Sequence, residues 1–159
     1  MGNKRRVFTV GHGNRSWEDF WAVLQGAGVQ QVVDVRRYPR SRRWPHFNRE
    51  ALAAALARQG VGYHWLGEAL GGYAQPPYPA YMQTEAFARG LAHLEALAAR
   101  QPTAVLCAER DWRRCHRRFI ADALCARGWQ VVHLLKAQRH EPHPCPLTDL
   151  GLRPTDRAP

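Results

Sequence analysis

Short β-branched and aromatic runs alternate along the chain with segments whose apolar positions recur every three or four residues. Val7-Phe8-Thr9-Val10 predicts a first strand that stops at Gly11. Ser16 is a helix cap with Glu18 and Asp19 in the first turn, and Trp17, Phe20, Trp21 and Leu24 follow at helical spacing until Gly26 and Gly28. Residues 31–35 read as a second strand. Asn48 caps a helix over residues 49–59 with Leu52 and Leu56 inward, Gly60 ends it, and residues 61–66 form a third strand. Residues 67–83, with Gly71-Gly72 and Pro76-Pro77, read as a long loop, a lid or a mobile segment. Thr84 caps a helix striped by Phe87, Leu91, Leu94 and Leu97. Residues 103–107 are an unbroken apolar strand, residues 115–127 a helix, and residues 129–135 a fifth strand.

Strands separated by helices require right-handed crossovers. The expected fold is therefore α/β: three α/β/α layers around a mainly parallel five-stranded sheet, Rossmann-like. The pattern predicts one domain over residues 1–137, and the prolines beyond Ala137 predict a tail over residues 138–159. Ligands of such sheets lie beyond the carboxyl ends of the strands, at the switch in strand order. The residues just after strands one, two and four are thus expected to meet.

The length of 159 residues suits a single core. No apolar run approaches the roughly 18 residues of a membrane span, and residues 7–10 are too short for a signal-peptide core. A cytoplasmic protein is expected. Lysine plus arginine is 23 against 13 acidic residues, for a net charge of +10. Only Lys4 and Lys136 are lysines, so the surplus is arginine, and it favours an anionic small molecule or nucleic acid as partner. It is equally compatible with an arginine-solvated surface. The four cysteines, Cys107, Cys115, Cys125 and Cys145, form no Cys-x-x-Cys pair and are expected to be reduced, with Cys125 simply packed in its helix.

Reactive side chains gather at the expected strand ends. Four chemistries fit them. Gly11-x-Gly13-x-x-Ser16 followed by Asp34 approaches a dinucleotide-binding turn, but Ser16 stands where the third glycine belongs. Cys107-x5-Arg113 has the spacing of a phosphate loop with a cysteine nucleophile, opposed by Glu109 and Asp111. Cys107, Glu109, Cys115 and His116 offer metal-ligand chemistry at no standard spacing. The fourth, a metal-free thiol site, uses a cysteine at a helix start, where the dipole and neighbouring arginines favour the thiolate. Separately, residues 36–49 interleave six arginines with Tyr38, Trp44, His46 and Phe47. This composition suits phosphates and stacked bases, or a basic loop anchored to the core by its aromatics. His133 reads as an ordinary strand residue, and His143 as incidental to the tail.

Val10-Gly11-His12, Asn14-Arg15-Ser16, Asp34-Val35-Arg36, Ser41-Arg42-Arg43, Leu70-Gly71-Gly72 and Cys107-Ala108-Glu109 with Cys115-His116-Arg117 are ordered motifs at consistent spacing. Over residues 7–134 they resemble the domain-of-unknown-function family 488 (DUF488). The resemblance implies a compact α/β domain of a bacterial or archaeal protein and no established reaction. Its signature positions map onto His12, Asn14, Arg15, Asp34, Arg36, Cys107, Glu109, Cys115, His116 and Arg117. Gly13 departs from the serine common in the family.

The leading expectation is an enzyme acting on a phosphorylated, nucleotide-like or nucleic-acid substrate. His12 and Glu109 are its acid–base pair, and Cys115 or Cys107 the thiol. Asn14, Arg15, Asp34, Arg36, His116 and Arg117 bind substrate. No cofactor or resident metal is assigned. The alternatives are a non-catalytic nucleic-acid module using residues 36–49 and a Cys/His/Glu metalloprotein.

Overall fold

The computed structural model describes residues 5–72 and 76–145. Its strands are β1 (Arg6–Gly11), β2 (Gln31–Asp34), β3 (Gly62–Trp65), β4 (Thr103–Cys107), β5 (Gln130–Lys136) and β6 (Arg139–Pro142). They form one sheet in the order β3-β2-β4-β1-β5-β6. The first five run parallel and β6 returns antiparallel to β5. The fold is α/β and Rossmann-like, with six strands where the periodicity predicts five.

The helices are α1 (Trp17–Gly26), α2 (Arg49–Arg58), α3 (Gly67–Leu70), α4 (Tyr78–Tyr81), α5 (Glu85–Ala98) and α6 (Arg117–Ala126). The Ser16 and Thr84 hydroxyls accept the Asp19 and Phe87 N–H groups, so both caps form as their residue types require. Within the segment expected to be loop, α3 and α4 are single helical turns, and residues 73–75 of it lie outside the described residues.

Alternation along the strands divides the core in two. Phe8, Val10, Val32, Ala104 and Leu106 pack with Phe20, Val23 and Leu24 of α1 and Leu52 and Leu56 of α2. Val7, Val33, Val105 and Cys107 face the other way, onto Leu91 and Leu94 of α5 and Ile120 and Leu124 of α6. From adjacent strands, β1 leads to α1 on one face and β4 leads to α6 on the other. The loops part between β1 and β4, and this is the switch point.

Two expectations about the C-terminal segment are corrected. Residues 139–142, read as tail, turn back onto β5; Pro142 ends an edge strand, where a missing N–H disturbs the sheet least. The His143 N–H then donates to Val131 O at 2.9 Å. Cys145 is disulfide-bonded to Cys125 on α6, whereas only Cys107 and Cys115 are free thiols. Spacing alone did not disclose this pair because the hairpin that joins it was not predicted. None of the helices in the described residues is long and apolar enough to cross a membrane.

Candidate active site at the carboxyl edge of the sheet

The loops after β1 and β4 touch backbone to backbone. A Cβ on Gly11 would lie 1.9 Å from Glu109 O, so only glycine permits the approach. The His12 N–H donates to Cys107 O at 3.0 Å and the Gly13 N–H to Ala108 O at 2.8 Å. The Val35 N–H donates to Leu106 O at 2.9 Å, which brings in the end of β2. The three strand ends therefore meet, as the topology requires. Their side chains separate onto the two faces of the sheet.

On the α1/α2 face stands a charged plug. The fully buried Asp34 carboxylate accepts Arg36 Nε at 2.9 Å and Nη2 at 2.7 Å, the Arg36 N–H, and the Tyr63 hydroxyl. Burial and the Asp34 charge push the Tyr63 phenol upward. Arg36 Nη1 donates to Phe47 O at 2.8 Å and to His12 Nε2 at 3.3 Å. Gly13 O only accepts, so His12 Nδ1 carries the proton that reaches it at 2.8 Å. Burial lowers the His12 pKa to about 4, and its ring stacks on Phe47 at 4.4 Å. His12 is thus a neutral imidazole with both nitrogens engaged. Arg15 turns inward as well: Nε donates to Gly11 O, Nη2 to Leu135 O, and Nη1 pairs with Asp19. Asn14 accepts Arg110 Nη1 at 3.3 Å. These residues fasten the loops.

The thiols lie on the α6 face. Cys115 receives the Arg117 N–H at 3.3 Å, and its Sγ is 3.6 Å from His116 Nδ1. His116 Nε2 donates to Val35 O at 3.1 Å, which leaves Nδ1 to share a proton with the sulfur. The Cys107 Sγ donates to Glu109 O at 3.5 Å. The neighbouring Cys107 thiol, His116 and the Arg117 charge pull the Cys115 pKa down to about 4, while burial holds Cys107 well above the usual thiol range. Of the two thiols, Cys115 is the one whose surroundings favour the thiolate. Arg117 is 1% exposed. Its side chain donates to Thr9 Oγ1 at 3.0 Å and to Glu109 O at 2.7 Å, and its Nε has no partner. Among the described residues it forms no carboxylate ion pair. The guanidinium also donates to Arg110 O at 3.2 Å, and its charge is one of the influences that favour a Cys115 thiolate.

The thiols open into a cavity of about 430 Å³ lined by Arg36, Arg37, Arg40, Arg114, His116 and Glu109 among others. That volume suits a small ligand. Glu109 is exposed at the rim, and its carboxylate accepts the Asp111 N–H at 3.2 Å.

Of the residues named from sequence, Cys107, Cys115, His116, Glu109 and Arg36 line this cavity, and Arg117 is buried behind it. His12, Asn14, Arg15 and Asp34 do not line it: His12 and Asp34 are buried in the plug, Asn14 is exposed, and Arg15 lines a separate depression with Asp19, Arg110 and Lys136. Arg113 pairs with Glu141 at 2.7 Å, which removes it from a Cys-x5-Arg phosphate loop. Gly11 closes on Glu109 rather than leaving room for a pyrophosphate. No group of three or more His, Cys, Asp or Glu among the described residues is arranged to hold a metal ion.

One feature escaped the sequence reading. Arg117 donates to Thr9, and hydrogen bonds continue from Thr9 to His133, from His133 to His143 (2.9 Å) and from His143 to Asp122 (2.6 Å). Trp112 stacks on His133 at 4.1 Å. Thr9 and His133 are register partners on β1 and β5, a relation visible only once the strands are paired.

An open parallel sheet with polar residues gathered at the switch in strand order makes the chain a Rossmann-like α/β protein. The family model "Domain of unknown function DUF488" matches residues 16–77 and 74–124, and the chain belongs to this family. No curated protein and no solved structure matches it significantly.

Proposed function

We propose that the chain is an enzyme that binds a phosphorylated substrate at the carboxyl edge of its sheet and attacks it with the Cys115 thiolate. The carrying observation is the sulfur itself: it takes the Arg117 N–H, lies beside His116, and opens into an arginine-lined cavity. A thiolate held by a helix start and a buried guanidinium is a nucleophile at neutral pH. Arg37, Arg40 and Arg114 neutralise the phosphoryl oxygens, and Arg36 stiffens the wall.

In this reading His116 holds the proton taken from Cys115. A bond forms from Sγ to the electrophilic atom as the bond to the leaving oxygen breaks, and the His116 proton passes to that oxygen. Water then attacks the intermediate, the thiolate departs, and the water proton goes to Glu109 or His116. Cys107 stays protonated, its thiol donating to Glu109 O. His12, Asn14, Arg15 and Asp34 keep the loops in place.

Alkylation with iodoacetamide followed by peptide mapping tests it, beside turnover of a panel of phosphate esters. Cys115 is expected to react before Cys107, more slowly when inorganic phosphate or a turned-over ester fills the cavity, and Cys115→Ser is expected to lose turnover by at least 100-fold. Alkylation indifferent to all phosphorylated compounds, or full turnover by Cys115→Ser, would overturn the proposal.

A further inference from the structure

We propose that a second depression beside the thiol cavity is a base subsite, so that the ligand of this edge is a nucleotide unit. The inference rests on the phosphorylated-substrate reading above. The depression has a volume of about 440 Å³ and is lined by Arg37, Tyr38, Arg40, Arg49, Glu50 and Trp65. Arg37, Tyr38 and Arg40 also line the thiol cavity, so the two share a wall.

The two depressions differ in chemistry. The first ends in arginines and a thiolate. The second presents flat surfaces. Tyr38 is 66% exposed, the one large hydrophobic residue so exposed among the described residues. Trp65 is fixed by its indole N–H, which donates to Arg36 O at 2.8 Å, and the Arg49 guanidinium lies over its ring at 4.8 Å. A phenol ring and a guanidinium plane both stack on nucleobases. Glu50 adds an acceptor for an exocyclic amino group.

The segment is ordered before any ligand arrives. The Arg49 N–H donates to Pro39 O at 2.9 Å, the Ser41 N–H to Asn48 Oδ1 at 2.6 Å, and the Trp44 N–H to Ser41 Oγ at 3.0 Å. A bare phosphate has no use for the second depression, and a sugar phosphate has no face to stack there. A nucleotide carries its anion and its flat ring at opposite ends, in the order the two depressions offer. A free nucleotide and one unit of a single strand share that chemistry.

The experiment measures how far adenosine monophosphate, ribose 5-phosphate, inorganic phosphate and a short single-stranded oligonucleotide slow Cys115 alkylation in the full chain. Adenosine monophosphate is expected to protect at about tenfold lower concentration than ribose 5-phosphate, in line with one stacked base. Tyr38→Ala is expected to abolish that preference, weakening protection by adenosine monophosphate about tenfold more than protection by inorganic phosphate. Tyr38→Phe, which keeps the ring, is expected to retain the preference. Tighter protection by the oligonucleotide than by the monophosphate identifies a strand as the source, and the reverse a free nucleotide; both support the subsite. Equal protection by adenosine monophosphate and ribose 5-phosphate, or an undiminished preference in Tyr38→Ala, overturns it while protection by phosphate still stands. Loss of protection by every phosphorylated compound overturns the thiolate–anion reading and the subsite with it.

Discussion

Replacing Asp34 by Ala removes the acceptor that anchors the plug behind the active edge. Arg36 would keep its charge at 5% exposure with Nε and Nη2 unpaired, and the Tyr63 hydroxyl would lose its acceptor as well. Breaking one side of a buried pair costs about 3–5 kcal/mol, because the orphaned charge stays buried. An unfolding entropy of about 2.1 cal/mol/K per residue gives roughly 0.33 kcal/mol/K for this chain, so the Tm is expected to fall by about 9–15 °C. Thermal unfolding followed by circular dichroism reads the loss, and urea titration reads it at 25 °C. The double variant Asp34→Leu, Arg36→Met removes both charges. It is expected to be more stable than the sum of the single losses by about 2 kcal/mol or more. Single variants within about 1 kcal/mol of the parent, or strictly additive losses, would refute the reasoning.

Three further outcomes concern the scaffold. His133 has its pKa lowered by burial to about 2, below the roughly 6.5 of an unfolded chain. As pH falls through 6.5 the unfolded state takes up the proton first, so the contribution present above 6.5 is lost downward toward the folded value. It amounts to about 2 kcal/mol between pH 7.5 and 5, and the unfolding free energy lost over that interval, from urea titrations at each pH, should be smaller by that amount in His133→Gln than in the parent. Reducing the Cys125–Cys145 disulfide, which spans 20 residues, is expected to cost about 3 kcal/mol, read as a lower urea midpoint in dithiothreitol than in Cys107→Ser treated with buffer alone. Gly11→Ala places a methyl 1.9 Å from a backbone oxygen, and its soluble yield and Tm are both expected to drop, by more than for Gly28→Ala, where the positive φ of 72° strains an alanine but the methyl meets nothing within 4 Å.

Much of the fold was legible because the chain punctuates itself. Ser16, Thr84, Gly28, Gly60 and Gly128 stand where helices begin or turns take positive φ, and the unbroken apolar run of β4 marks a strand covered on both faces. The sixth strand was not legible, since Arg139-His140-Glu141-Pro142 is polar and ends in proline, a composition that an exposed edge strand shares with a tail. The gathering of reactive residues at one edge followed from topology. Their division between faces did not, because it depends on which way each strand's alternation points. Asp34 takes its even-numbered neighbour Val32's face and Cys107 the face of Val105, so an imidazole and a thiol expected to work together stand on opposite sides of β4 and β1. The Thr9–His133–His143 chain joins β1, β5 and the residue after β6, and single-segment patterns carry no trace of it.

The charge state of one sulfur tests the central claim most directly. The rate of Cys115 alkylation, resolved by peptide mapping and measured from pH 3.5 to 9.5, should reach half its maximum far below pH 7, near the value of about 4 that Cys107, His116 and Arg117 impose. A midpoint near 8.5, the value of an ordinary thiol, would contradict it.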